Sequence, residues 1–290
     1  MQTLSKDIYM EMNMNYREMK GEKKMKGNSG TIAILFFSLL LVICMMSQVQ
    51  AAVNCANDVD CDGFTDTQES STGITLADGS TFPACSGTTL TRDACLDPNT
   101  PDLFVILIKA TDTGAAYSNI PATNPLGLVS APKASGGLGL AVHIITPGQA
   151  NSNRYVTSTQ KAVRITESLD VSATDVLGAA STGTPNGLDA AVIYTERIKK
   201  HVTGVYAGVN QLPPAGFIDE YIRHTIAHEV GHMSGPLTTA YNSRYGGYHY
   251  QSGTNLILDQ SVAYSVKGST VTWKLGKTYS TADQSAIKLK

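Results

Sequence analysis

The chain has 290 residues, of which 42% are hydrophobic and 16% are charged. The apolar share excludes a wholly disordered chain, and the low charged share argues against a coiled coil. The formal net charge is −2, so there is no overall basic field, and we expect no nucleic-acid partner. The length suits one medium domain with an extension, or two small domains.

The first 51 residues are predicted to form an export signal. A cluster of four lysines at 20–26 precedes an apolar run at 32–46. At about 1.5 Å per residue this run reaches about 22 Å, which is shorter than a hydrocarbon core of roughly 30 Å. Val49 and Ala51 then supply the residue types of a signal-peptidase site. We therefore expect an exported protein, secreted, periplasmic or at the cell surface, which contacts a membrane only through this segment if it stays uncleaved.

Four cysteines follow the export signal within a short stretch of chain: Cys55, Cys61, Cys85 and Cys95. An even set in an exported chain predicts two disulfides, and three connectivities are possible. The competing interpretation is a zinc site with four thiolate ligands. The spacing disfavours it, because the set contains no Cys-x-x-Cys pair.

An acidic loop lies among these cysteines, at 58–69. It has carboxylates at its first, third, fifth, ninth and twelfth positions, a glycine at the sixth, and a residue at the seventh that offers its backbone carbonyl. This spacing surrounds one hard cation with oxygen ligands. The predicted calcium ligands are Asp58, Asp60, Asp62, Phe64, Asp66 and Glu69. The alternative is a solvated acidic turn.

The loop at 58–69 resembles the calcium loops of EF-hand and thrombospondin type 3 repeats. A complete EF-hand has a helix before the loop, and too few residues stand between the export signal and Asp58 to form one. We therefore expect the calcium to be structural, ordering a segment that is too small to build its own core.

The Pro-containing stretch at 97–101 suggests a boundary between a Cys-rich calcium-binding segment, 52–101, and a second domain, 102–290. Apolar runs rich in β-formers predict strands at 103–108, 138–145, 163–165 and 271–274. A loop is predicted for 111–137, which is rich in Gly, Pro, Ser and Thr.

The secondary structure of two later segments is predicted from local sequence signals. The pattern at 189–206 fits either a helix or a strand. Ser280 is a candidate N-cap for a short C-terminal helix.

The clearest predicted helix runs from Phe217 to Met233. Acidic residues stand in its first turn, and Gly235 and Pro236 follow its end. Its apolar stripe consists of Ile222, Ile226, Val230 and Met233.

The second half of this helix contains a His-Glu-x-x-His motif. His228 and His232 are four residues apart, so their imidazoles lie on one face of the helix and can share one Zn²⁺. Glu229 follows His228 and points about 100° away round the helix, which places it beside the metal rather than on it. That position suits a general base that deprotonates a water molecule and then protonates a leaving amine. The alternatives are surface histidines on a helix, or a zinc site without catalysis.

The motif resembles that of the zincin metallopeptidases, and with Gly235 it is similar to the metzincin branch. The resemblance implies an α+β fold, in which a twisted sheet packs over an active-site helix, and a zinc-dependent endopeptidase acting on peptide or protein substrates. Two features depart from the metzincin pattern: Thr238 stands where the third histidine is expected, and Met233 is the only methionine after the export signal.

The family pattern therefore leaves the identity of the third zinc ligand undecided. His224 lies too far along the helix from His232, by about 12 Å, to share a metal with both motif histidines. His249 is the favoured candidate because it is the only histidine after the motif, and Asp259 is the alternative. Leu258 is a candidate for the apolar floor that a methionine forms in the metzincins.

Together these features predict a secreted zinc endopeptidase with Glu229 as its catalytic residue and an N-terminal calcium-binding segment. Two other functions stay open: a non-catalytic exported zinc- and calcium-binding module, and a metal-dependent amidase acting on cell-wall peptide.

Overall fold

The computed structural model describes residues 55, 57–85, 90–112, 115–116, 118–158, 160–172, 176–180, 190–234, 249, 254–259, 262–287 and 289. The predicted export signal and the predicted helix stop at Gly235 and Pro236 lie outside these residues. No helix among the described residues has the length and apolar character needed to cross a bilayer.

Eleven strands are present in the described part of the chain: β1 (Ile74–Thr75), β2 (Thr81–Phe82), β3 (Asp102–Ile108), β4 (Thr111–Asp112), β5 (Ala115–Ala116), β6 (Ala141–Ile145), β7 (Val163–Ser168), β8 (Gly178–Ala180), β9 (Ala190–Tyr194), β10 (Ala263–Lys267) and β11 (Thr270–Lys274). The α-helices are α1 (Gly127–Ser130), α2 (Thr195–Ala207), α3 (Phe217–Met233) and α4 (Thr281–Ser285). Single turns of other helix types span Gln68–Thr72, Arg92–Ala94, Lys133–Ser135 and Pro147–Gln149.

The main sheet has five strands in the order β6-β3-β7-β9-β8. Its first four strands are parallel, and β8 pairs antiparallel with β9 at the edge. The other strands form separate two-stranded hairpins. The fold is therefore mixed α+β, as the sequence predicts at this coarse level.

Both faces of the main sheet are covered by other parts of the chain, as the side chains of β3 illustrate. Leu103 and Val105 belong to a core that includes the apolar stripe of α3. Phe104 and Ile106 point to the other face, where they pack with side chains of the Cys-rich segment such as Phe64. Because alternate residues of a strand face opposite sides, the continuous apolar run of β3 requires two partners. The Cys-rich segment is the second partner.

Most of the predicted elements are confirmed, with changes at their ends. Helix α3 has the predicted bounds, and Ser280 caps α4 through reciprocal bonds with Asp283. The segment at 189–206, which fits either a strand or a helix by its sequence, contains both, because β9 is followed directly by α2. The predicted strand at 138–145 begins only at Ala141, and the one at 163–165 continues to Ser168. Strands β8 and β10 are not predicted, and the predicted loop at 111–137 contains the β4–β5 hairpin and α1.

The cysteines form the disulfides Cys55–Cys61 and Cys85–Cys95. This pairing selects one of the three connectivities, and the interpretation as a zinc site with four thiolate ligands is wrong, because all four sulfurs are bonded to each other in pairs. Two disulfides indicate an oxidising, extracellular environment.

Candidate metal centres

Three imidazoles converge at the C-terminal half of α3. The Nε2 atoms of His228, His232 and His249 lie 3.1 Å from one another in all three pairs. Imidazole nitrogens that share a tetrahedral Zn²⁺ at about 2.0–2.1 Å lie about 3.3 Å apart, so the three atoms fit that ion closely. The helix supplies two of the three imidazoles through its four-residue spacing, and the third comes from a point 17 residues after His232.

Hydrogen bonding turns the lone pair of His228 toward this centre. Its Nδ1 lies 2.7 Å from the carbonyl oxygen of Ile257, so Nδ1 carries a hydrogen and donates it. In a neutral imidazole Nε2 is then unprotonated, which is the form that binds a metal. Burial lowers the pKa of His228 well below its usual value and that of His232 to about 3, with the neighbouring imidazoles adding to both shifts. The two motif imidazoles are therefore neutral at physiological pH.

Glu229 lies on the side of α3 that faces the edge of the sheet. Its side chain is buried, and burial raises its pKa to about 8, while a hydrogen bond from the backbone of Ala180 in β8 acts in the opposite direction. A Cβ on Gly178 would lie 2.4 Å from Oε1 of Glu229. Glycine at 178 therefore leaves the room that this carboxylate occupies. A pKa near neutrality suits a group that both takes and returns a proton.

A turn at 256–259 packs against α3. Leu258 is fully buried and lies against Gly231, between the two motif histidines. Tyr279 packs on the same glycine and donates from its hydroxyl to the carbonyl oxygen of Ala227 at 2.5 Å. Leu258 thus packs against α3 at Gly231.

The other candidate zinc ligands point elsewhere. Both carboxylate oxygens of Asp259 accept hydrogen bonds, from the Thr254 hydroxyl and from the Asn255 N–H. His224 is buried, with its Nδ1 2.8 Å from the carbonyl oxygen of Gly276. The structure therefore brings His249, rather than Asp259 or His224, to the motif pair.

A second cluster of possible ligands consists of carboxylates. Asp58, Asp60 and Asp62 of the acidic loop form one group, and Asp62, Glu69 and Asp102 form another; within each group the ligand atoms lie within 4.8 Å of one another. The two groups share Asp62 and combine the loop with the first residue of β3.

Backbone donors orient the loop around this cluster. Asp58 accepts from the N–H groups of Asp62 and Gly63, and Asp62 accepts from those of Phe64 and Asp102. These bonds form a tight acidic turn, which Phe64 anchors by burying its ring in the second core.

The carboxylate cluster differs from the predicted ligand set at two residues, Asp66 and Asp102. Asp66 is a predicted ligand, but it is in neither group, and its Oδ1 accepts from the Val59 N–H. Asp102 was not predicted, although a carboxylate at the start of a buried strand is a signal that could have found it. His143, in the neighbouring strand β6, holds Oδ1 of Asp102 at 2.6 Å.

Comparisons of the chain with protein-family models, with curated proteins and with solved structures find no match. The functional interpretation accordingly rests on the geometry of the two clusters.

Proposed function

We propose that this protein is a secreted zinc-dependent endopeptidase of zincin type. The observation that carries the proposal is the convergence of three imidazole nitrogens, two from α3 and one from a later segment, near a buried carboxylate on the same helix. The α+β fold, with a five-stranded sheet over the helix that bears the motif, supports the same assignment.

His228, His232 and His249 would hold the zinc. When bound, zinc acts as a Lewis acid that polarises a carbonyl and makes a water molecule more acidic. Glu229 accepts the proton of the attacking water and delivers it to the amine that leaves. A positive charge at the three imidazoles lowers the pKa of Glu229 from about 8, so that the carboxylate form is available to take the proton.

The same proposal includes a structural calcium ion at the acidic loop. The support is the group of carboxylates at Asp58, Asp60 and Asp62, joined by Glu69; Asp60 is partly buried and the other three are buried. Burial, together with the charges of neighbouring carboxylates, raises the pKa of Asp60 and Asp62 to about 7 and that of Glu69 to about 9. Such a group is stable in its ionised form only with a cation.

Replacing Glu229 by glutamine separates catalysis from metal binding. The Glu229→Gln variant keeps the three imidazoles, so we expect full zinc content, but it lacks the proton acceptor and donor. Hydrolysis of casein or of a peptide library should fall by about 10²–10⁴-fold, the usual contribution of general acid–base catalysis.

The matched control is Glu220→Gln, on the same helix, where the carboxylate is partly exposed and pairs with Lys277. This variant should retain the wild-type rate. If wild type and Glu229→Gln were equally inactive at full zinc content, the protein would be a non-catalytic zinc module. Cleavage of cell-wall peptide but not of casein would instead support an amidase.

A further inference from the structure

Three fully buried carboxylates meet where the acidic loop contacts the sheet. Asp62, Glu69 and Asp102 are each 0% exposed, and their ligand oxygens lie within 4.8 Å of one another. Neither oxygen of Glu69 nor Oδ2 of Asp102 accepts a hydrogen bond from any donor in the described part of the chain. These oxygens therefore face one another inside the protein.

An ionised carboxylate can accept hydrogen bonds but cannot donate them, so ionised carboxylates cannot form hydrogen bonds with one another. Either protons or a cation must lie between them, because several buried negative charges at this distance repel strongly. A hard divalent cation, which prefers carboxylate oxygens, removes this repulsion.

We infer that the calcium ion is shared between the loop and the sheet, with Asp102 as a ligand from outside the loop together with Asp62 and Glu69. The inference rests on the calcium binding proposed above and specifies the site. Asp102 replaces Asp66, which the loop spacing assigns as a ligand but which bonds to the backbone of Val59 instead.

The surroundings of Asp102 hold its free oxygen in place. His143 contacts Oδ1, and the backbone N–H of Asp102 donates to Asp62 at 2.6 Å, which leaves Oδ2 directed at the cluster. Since β3 is an interior strand of the main sheet, a cation held here joins the Cys-rich segment to the sheet face that this segment covers. Bound calcium thus connects the Cys-rich segment to the domain that contains the three imidazoles.

The test compares calcium titrations of the calcium-free full-length mature protein by calorimetry. Asp102→Asn preserves the size of the side chain but removes its charge, and we expect a loss of calcium affinity of about 100-fold or more. Asp66→Asn is the matched control, which should change the affinity by less than about threefold. The reverse ranking, or equal effects of the two substitutions, would overturn the inference.

The titrations separate failure of the proposed calcium binding from failure of the shared site. If wild type binds no calcium, the proposed calcium ion and its shared site both fail. If wild type binds calcium and Asp102→Asn binds it equally well, only the shared site fails.

A second measurement uses wild type alone, in case Asp102→Asn does not fold. Hydrogen exchange with and without calcium should show slower exchange in peptides covering 100–106 as well as 58–69, because the Asp102 N–H and its carboxylate both belong to the site. The hairpin at 263–274 serves as the unaffected control. Slowing confined to 58–69 would overturn the inference.

Discussion

At the residue scale, the role of each polar side chain follows from which of its atoms are already hydrogen-bonded. Nδ1 of His228 donates to Ile257, so Nε2 is the atom available to a metal. Both oxygens of Asp259 accept hydrogen bonds within its own turn, and Asp259 does not belong to the group formed by the three imidazoles. Position separates Asp102, whose carboxylate lies in one group with those of Asp62 and Glu69, from Asp66, which lies in neither group of possible ligands.

The choice of the third zinc ligand can be tested directly. His249→Ala removes one of three converging nitrogens and should weaken zinc binding by more than about 100-fold, since even the partners of metal ligands contribute 10- to 100-fold. Asp259→Asn should leave zinc affinity close to wild type. Competition with a chromogenic chelator measures both. Zinc loss in Asp259→Asn with retention in His249→Ala would assign the aspartate instead.

At the scale of elements, α3 lies very close to the turn at 256–259 and to Tyr279. Gly231 permits this approach. A Cβ at this position would lie 2.8 Å from Cδ2 of Leu258 and 2.9 Å from Cε1 of Tyr279. Both neighbours are buried, so neither has room to move away.

Substitution of this glycine should therefore reduce stability even though alanine favours helices. We expect Gly231→Ala to lower the free energy of unfolding by about 1–3 kcal/mol through overpacking. Gly204→Ala, in α2, is the control because its Cβ would meet no atom within 4 Å; it should stabilise by up to about 1 kcal/mol. Denaturant unfolding at fixed zinc and calcium measures both. A Gly231→Ala variant as stable as Gly204→Ala would contradict the close approach.

At the scale of the whole molecule, the calcium-free protein contains several buried acids whose pKa values are raised. Those of Glu69 and Asp102 are about 9 and that of Glu229 is about 8, in each case mainly through burial. An acid with a raised pKa binds protons more tightly in the folded state than in the unfolded state. Its contribution to stability therefore falls as pH rises from its ordinary pKa toward the raised one.

This linkage predicts an unusual pH dependence without metal. Between about pH 7.5 and about pH 9 a histidine of ordinary pKa, about 6.5, is largely neutral, and burial lowers the pKa of His143, His224, His228 and His232 further, so the raised acids dominate. The melting temperature in chelator should fall across this window. With excess calcium, the ion substitutes for protons in the carboxylate cluster, and the fall should be much smaller. Thermal unfolding followed by circular dichroism measures both. A calcium-free melting temperature that rises across the window would contradict the raised pKa values.

The amino-acid sequence by itself determined the elements that depend on neighbours along the chain. The bounds of α3 follow from its apolar period and first-turn acids, and the cap of α4 follows from Ser280 and Asp283. The spacing of His228 and His232 similarly places both imidazoles on one face. The acidic spacing of 58–69 likewise identified most of the carboxylate cluster.

Only the tertiary structure decided the contacts between distant segments. It selected the disulfide pairing among three connectivities, brought His249 rather than Asp259 to the helix, and added Asp102 to the acidic loop. It also placed β8 beside Glu229, since an edge strand of three residues has too little periodicity to be recognised. The physical reason is common to all four cases. Local spacing fixes directions around one helix or loop, whereas the meeting of distant residues depends on how buried faces pack across the sheet.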